Sequence, residues 1–342
     1  MFSNLPPILL LTLFCLAALL IAVFGSMMTR LADRLADATG LGEALMGAVF
    51  LGGSTSLPGI VTSVTAASQG HPHLAVSNAV GGIAVQTVFL AIADLVYRKA
   101  NLEHAAASIA NMMQGAMLIS LLALCVIGIA APQTTLLAVH PVSFLLVAGY
   151  LLGLRQISLA RTDPMWRPTW TRETKVDEGR PERMSTRQLL RIWLGFAALG
   201  LIVGCAGFVV AESGIALSWR FGISETIVGG LLTAVATSLP ELVTSIASVR
   251  QGALTLAVGG IIGGNCFDVL FVAFSDVAYR QGSIYQALSS EQTFMIALTL
   301  LLTGVLMLGL IRREKHGIGN IGFESFLIIL LYGSMFLFLG LS

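Results

Sequence analysis

The chain has 342 residues, of which 56% are hydrophobic and only 11% charged, with a mean hydropathy of +0.87. A water-soluble domain carries roughly 25% charged residues, so the composition argues against a soluble globular fold and points to lipid as the solvent. The net charge of +1 says nothing by itself, because what matters is where the charges sit; no nucleic-acid partner is expected.

About 20 apolar residues cross a bilayer core as one helix. Ten runs meet that length, near 7–28, 43–68, 73–97, 107–130, 137–154, 189–211, 224–249, 254–279, 292–311 and 322–341. The first lacks a basic leader and is long enough to span, so it reads as a helix rather than a signal peptide. The connections after spans 1, 3, 5, 7 and 9 hold 17 of the 19 Lys and Arg residues, and the other side holds only Arg220 and Arg280. Positive charge stays on the cytoplasmic side. Both termini are therefore expected outside the cytoplasm, with the chain multi-pass in the cell inner (plasma) membrane and lipid as its surroundings. The segment 155–188 is rich in Arg, Pro and Thr and too poor in apolar residues to build a core. It reads as a cytoplasmic linker between a first five-helix unit, 1–154, and a second, 189–342. Cys15, Cys125, Cys205 and Cys266 lie far apart in apolar runs, without metal-ligand spacing or a disulfide framework.

Shifting the sequence by 182 residues aligns the two halves without gaps. Residues 41–70 fall on 223–252 and residues 71–98 on 253–280, and 21 of the 58 pairs are identical, among them TSLP, VTS, QG, LAV and GG. Five spans separate the copies, an odd number, so the copies enter the membrane from opposite faces. Many secondary transporters use such an inverted-topology repeat for alternating access. The expected fold class is an all-α membrane protein of ten transmembrane helices, arranged as two inverted-topology five-helix repeats.

The repeats concentrate helix-breaking and polar residues at mid-span. Thr55-Ser56-Leu57-Pro58 and Thr237-Ser238-Leu239-Pro240 each place a proline inside a span. Proline removes a backbone donor and pushes the preceding residue out of helical geometry. Spans 2 and 7 are thus expected to break there, presenting carbonyl and hydroxyl oxygens inward. Among the 18 acidic residues, Glu241 after the second break and Asp268 in span 8 read as the two that sit deep. A deep carboxylate costs several kcal/mol unless paired, protonated or metal-bound. No Lys or Arg lies at their depth, which leaves a shared proton or a cation among oxygens, and hard cations such as Na⁺ and Ca²⁺ favour that shell. Asp94 with Arg98, and Asp276 with Arg280, read as i,i+4 pairs at span ends. Glu43 and Glu225 read as first-turn residues favoured by the helix dipole, and His71 and His73 as exposed loop histidines.

ATSLPELVTS (236–245) and GGIIGGNCFD (259–268) resemble the second α-repeat of the sodium/calcium exchanger, or cation/Ca²⁺ antiporter, superfamily, and STSLPGIVTS (54–63) with NAVGGIAVQT (78–87) is similar to its first. The resemblance implies two inverted five-helix units, with spans 1 and 6 as a long tilted pair that slides past the core. It implies Glu241, Asp268, Thr237, Ser238, Thr55, Ser56 and Gln86 as cation ligands. No tightly bound cofactor is implied, only transported Ca²⁺, Na⁺ or H⁺. Against the family pattern, Gly59 stands where a Glu follows the first SLP, Gln86 where Asn or Asp is usual, and Gly82 and Gly264 where serines are usual. Asn78 is a candidate replacement oxygen.

The implied function is exchange of Ca²⁺ for Na⁺ or H⁺ by alternating access. The alternatives are a monovalent Na⁺/H⁺ exchanger on the same fold and, because of Gly59, a cation-binding membrane protein that does not transport. An intramembrane enzyme is not expected, since neither a Gly-x-Gly-Asp aspartyl pair nor a deep Ser–His pair is present.

Overall fold

In the computed structural model, the described residues are 2, 4–39, 50, 52–97, 100–132, 134–162, 164–166, 168–169, 185–317 and 321–341. They are helical almost throughout. Eight helices are long and apolar enough to cross a membrane: Pro7–Ala36, Pro72–Val96, Ile109–Ala130, Pro141–Arg161, Thr186–Phe221, Leu254–Ala278, Ser290–Arg312 and Phe323–Gly340. A bent pair, Glu225–Thr237 with Leu239–Gln251, turning by 46°, is a ninth candidate span. Within the tenth expected run, 43–68, the described residues hold the shorter apolar helix Leu57–Ser68. Residues 40–49, Glu43 among them, lie outside the described residues, as do 163, 167 and 170–184 of the 155–188 segment. The chain is a multi-pass integral membrane protein. The helix before the linker runs on to Thr162 and the next starts at Thr186, so the helical boundaries lie inside the 155–188 segment.

Burial sorts the helices into core and periphery. The Pro72–Val96 and Leu254–Ala278 spans have 78% and 72% of their apolar windows buried, against 22% for Pro7–Ala36 and 28% for Thr186–Phe221. The two central helices carry Gln86 and Asp268. The two peripheral ones pack together, and residues such as Ile8, Leu19, Leu194 and Leu201 face outward from them.

Both prolines break their helices where the sequence places the breaks. Ser56 (φ −87°, ψ 2°) and Ser238 (φ −96°, ψ 4°) leave helical geometry, and a new helix starts with Leu57-Pro58 and Leu239-Pro240. Glycines on the peripheral helices let these breaks be approached closely. A Cβ on Gly25 would lie 2.5 Å from Pro240 Cγ, and one on Gly207 would lie 2.7 Å from the Pro58 carbonyl. Those two contacts exchange under the 182-residue offset of the sequence repeat.

Hydrogen bonds across the molecule obey the same offset. Asp94 Oδ1 accepts from Leu102 N (2.6 Å), and its Oδ2 accepts from Gly322 N and Ser325 Oγ (3.1 Å each). Asp276 Oδ1 accepts from Ile284 N (2.8 Å), and its Oδ2 accepts from His140 N (2.7 Å) and Ser143 Oγ (2.8 Å). This corrects the interfacial reading of both residues. Both are fully buried, and Asp276 binds backbone amides and a serine instead of Arg280; Arg98 lies outside the described residues. Backbone N–H groups freed at helix ends need acceptors, and a buried carboxylate supplies several at once.

Glu103 and Glu324 are buried as well, beside Asp94, and have no counterpart acids at 285 and 142, which are Tyr and Val. Glu103 lies in the short Leu102–Ala106 helix between two spans. Burial holds its carboxyl well above the usual carboxylate range, and the charges of Asp94 and Glu324 add to this. A carboxyl that keeps its proton in the fold and loses it on unfolding stabilises the fold below the ordinary carboxylate range. That stability is lost as pH rises from there through the raised folded value. Thermal stability in detergent is therefore expected to fall as pH rises, and Glu103→Gln to flatten the fall. An unchanged slope in the variant would place the titrating group elsewhere.

Candidate cation-binding site

The two helix breaks and the two central helices meet at one small cavity. Ser56, Gln86, Thr237, Ser238, Glu241 and Asp268 line it, with Gly59, Asn78, Gly82 and Phe271 completing the wall. Its volume is about 10 Å³, roughly the room that one water-sized sphere needs.

Local structure places each group. Glu241 sits in the first turn of the helix that restarts at Leu239, where the dipole favours a carboxylate. It is buried, and its Oε2 has no hydrogen-bond donor among the described residues. Asp268 ends the Leu254–Asp268 segment just before a kink at Val269. Ser56 Oγ donates to its Oδ1 (2.5 Å) and Gln86 Nε2 to its Oδ2 (2.7 Å). Gln86 Nε2 also donates to Ser238 Oγ (3.2 Å), while its Oε1 is buried without a donor among the described residues. No Lys, Arg or His lines the cavity among the described residues. Two carboxylates are thus enclosed without a basic partner, and a free carbonyl oxygen and two hydroxyls lie beside them.

Six of the seven residues read from the sequence share this cavity. Thr55 does not line it: its hydroxyl donates back to the Gly52 carbonyl (3.0 Å) one turn earlier. Thr237 does line it, although its hydroxyl donates to Thr233 O (2.9 Å). Asn78 is at the wall, but its oxygen is engaged by Thr233 Oγ1 (2.7 Å) and its Nδ2 donates to Ser63 Oγ (2.9 Å) and Gly59 O (3.3 Å). It is a strut between the helices rather than a free oxygen. Sequence reasoning missed Phe271. The signal was its place three residues after Asp268, on the same helix face. His71 is not free either: its Nδ1 lies 2.6 Å from Glu225 Oε1.

The sequence profile described as sodium/calcium exchanger protein matches residues 9–156 and 191–341, nearly the whole chain. This chain belongs to the sodium/calcium exchanger family. The putative antiporter CaxA of Alkalimonas amylolytica is 27% identical over 321 residues, covering 92% of this chain and 96% of that protein. Inner membrane protein YrbG of Escherichia coli (strain K12) is 30% identical over 273 residues, covering 77% of this chain and 78% of that one. A crystal structure of an H⁺/Ca²⁺ exchanger, CAX, superimposes with a TM-score of 0.70 at 15% identity, over 98% of this chain and 83% of that one. At that identity the likeness is one of fold. Sodium/calcium exchanger proteins are transporters rather than enzymes, in line with the sequence reading.

Proposed function

We propose that this chain is a secondary active antiporter that exchanges Ca²⁺ for Na⁺ or H⁺ by alternating access, with Glu241 and Asp268 as its charged ligands. The observation that carries this reading is the pair of buried carboxylates lining one cavity with no basic side chain. Ca²⁺ takes six to eight oxygens, in roughly that number. Both carboxylates, the Gln86 carbonyl and the Ser56 and Ser238 hydroxyls can supply most of them, since a hydroxyl rotates its proton away to offer a lone pair. An empty, doubly charged site is costly to enclose in low dielectric. Loaded with two positive charges it is neutral and can pass between inward- and outward-facing states, which couples the two fluxes.

The ten-span, two-fold inverted architecture is part of this reading. Its support is the set of contacts that exchange under the 182-residue offset, from Gly25–Pro240 and Gly207–Pro58 to the hydrogen bonds of Asp94 and Asp276. The charge distribution favours extracytoplasmic termini and a cytoplasmic 155–188 segment. The inner membrane is favoured by the likeness to YrbG.

The test is flux in proteoliposomes. Ca²⁺ uptake should follow an imposed Na⁺ or H⁺ gradient and vanish in Glu241→Gln. Uptake that ignores both gradients, or survives the substitution, refutes the antiport reading. Na⁺/H⁺ exchange that Ca²⁺ neither drives nor inhibits would make the chain a monovalent exchanger.

A further inference from the structure

The 182-residue offset pairs Glu241 with Gly59 and Asp268 with Gln86. Both acids of the cavity therefore come from the second repeat, and the first repeat contributes a glycine and an amide at the equivalent places. Gly59 is not simply a missing side chain. A Cβ built there would lie 2.6 Å from Cε2 and 3.2 Å from Cζ of Phe271, so the phenyl ring occupies the direction in which a side chain at 59 would start. The ring is held from behind. Phe271 is buried and meets Phe267 edge-on at 6.3 Å and 80°. Phe267 in turn lies edge-on to Tyr150 at 5.8 Å and fills the space over Gly52, where a Cβ would come within 3.1 Å of its ring. By contrast, a Cβ on Gly82 would find only Ser238 Oγ, at 3.5 Å. Of the two glycines in the cavity wall, only Gly59 is obstructed.

We propose that Phe271, seated over Gly59, sets the capacity of this site by filling the place of a third carboxylate, so that the cavity holds two positive charges at a time, one Ca²⁺ or two monovalent cations. This rests on the antiport reading for its meaning in transport, but it stands on its own as a statement about binding. Two carboxylates balance the charge of one Ca²⁺ or of two monovalent cations, and no more. A third Na⁺ would lack a counter-charge, because the wall it would need is aromatic. Cation selectivity follows from ligand charge and cavity size, and the Gly59–Phe271 pair changes both at once.

Calorimetry on the purified full-length protein in detergent tests this without flux. The wild-type chain should bind one Ca²⁺, and no more than two Na⁺ should displace it. The double variant Gly59→Glu with Phe271→Ala, which opens the space and adds the carboxylate, should bind Ca²⁺ about tenfold more tightly or better and release it only to more than two Na⁺. Displacement from the wild type by three or more Na⁺ overturns the proposal, as does a folded double variant that binds like the wild type. A second pair of variants tests the obstruction in the absence of ions. Gly59→Ala should lower Tm, and Phe271→Ala should remove most of that penalty in the combined variant; strictly additive losses would overturn the steric argument. A chain that binds one Ca²⁺ but does not move it would refute antiport and leave the capacity proposal standing, whereas no Ca²⁺ or Na⁺ binding at all overturns both.

Discussion

Asp268→Asn is expected to abolish Ca²⁺ exchange while leaving the helix packing intact. The carboxylate is held at Oδ1 by the Ser56 hydroxyl and at Oδ2 by the Gln86 amide. An asparagine can keep both contacts: its oxygen accepts from Gln86, its amide donates to Ser56, and the hydroxyl reverses. The neutral side chain therefore fits, and what it removes is one charge in an enclosed site. Leaving a buried ion without its counter-charge costs about 3–5 kcal/mol, which is roughly a hundredfold to several thousandfold in Kd. Ca²⁺ uptake should fall to background and Ca²⁺ affinity by about two orders of magnitude or more, with Tm nearly unchanged. Ser56→Ala should cost less, about 1.5–3 kcal/mol, the worth of one hydrogen bond to a charged group. Asp268→Asn with affinity within a factor of about ten of the wild type would show that this carboxylate is not a cation ligand. The reverse order, with Ser56→Ala the more damaging, would point to a structural role for the hydroxyl.

The parts of this site that were legible in the sequence are those that stand out against an apolar background. Pro58 and Pro240 announce breaks because a span has few reasons to hold a proline, and the structure turns the chain at Ser56 and Ser238. Glu241 and Asp268 announce a site because a bilayer makes isolated carboxylates costly. What was not legible depends on partners distant in sequence. Asp94 lies four residues from Arg98, and Asp276 four from Arg280, which suggests surface pairs. Yet Asp94 bonds residues 228 and 231 positions away, and Asp276 bonds residues 136 and 133 positions away. Thr55 and Thr237 are identical in the repeat, but Thr55 turns to Gly52 and away from the cavity. Phe271 reads as one more apolar residue in a span until Gly59 is placed beneath it. Spacing fixes which face of a helix a residue shares with its near neighbours, but only the packing of helices from both halves decides what that face meets.

Those distant hydrogen bonds support the second large expected effect. Asp276→Ala should strongly destabilise the fold, because it strips the acceptor from two backbone amides, Ile284 N and His140 N, and from the Ser143 hydroxyl. Each buried donor left without a partner costs about 1–3 kcal/mol, so for three donors the loss is about 3–9 kcal/mol if none is rescued by water. Asp94→Ala strips the equivalent set at Leu102, Gly322 and Ser325. The two sites differ in their surroundings: Asp94 shares its end of the molecule with the buried Glu103 and Glu324, and the places equivalent to those acids near Asp276 are held by Tyr285 and Val142. Removing the charge at 94 relieves its repulsion with Glu324, whereas removing it at 276 relieves none. Asp94→Asn should therefore lower Tm less than Asp276→Asn, even though the two carboxylates accept the same set of bonds. Thermal melts of the four variants in one detergent decide the matter. Equal losses at the two positions would mean that the hydrogen bonds alone set the stability and that the neighbouring acids are not charged together. A larger loss at 94 would mean that Asp94 is what keeps those acids protonated and in place.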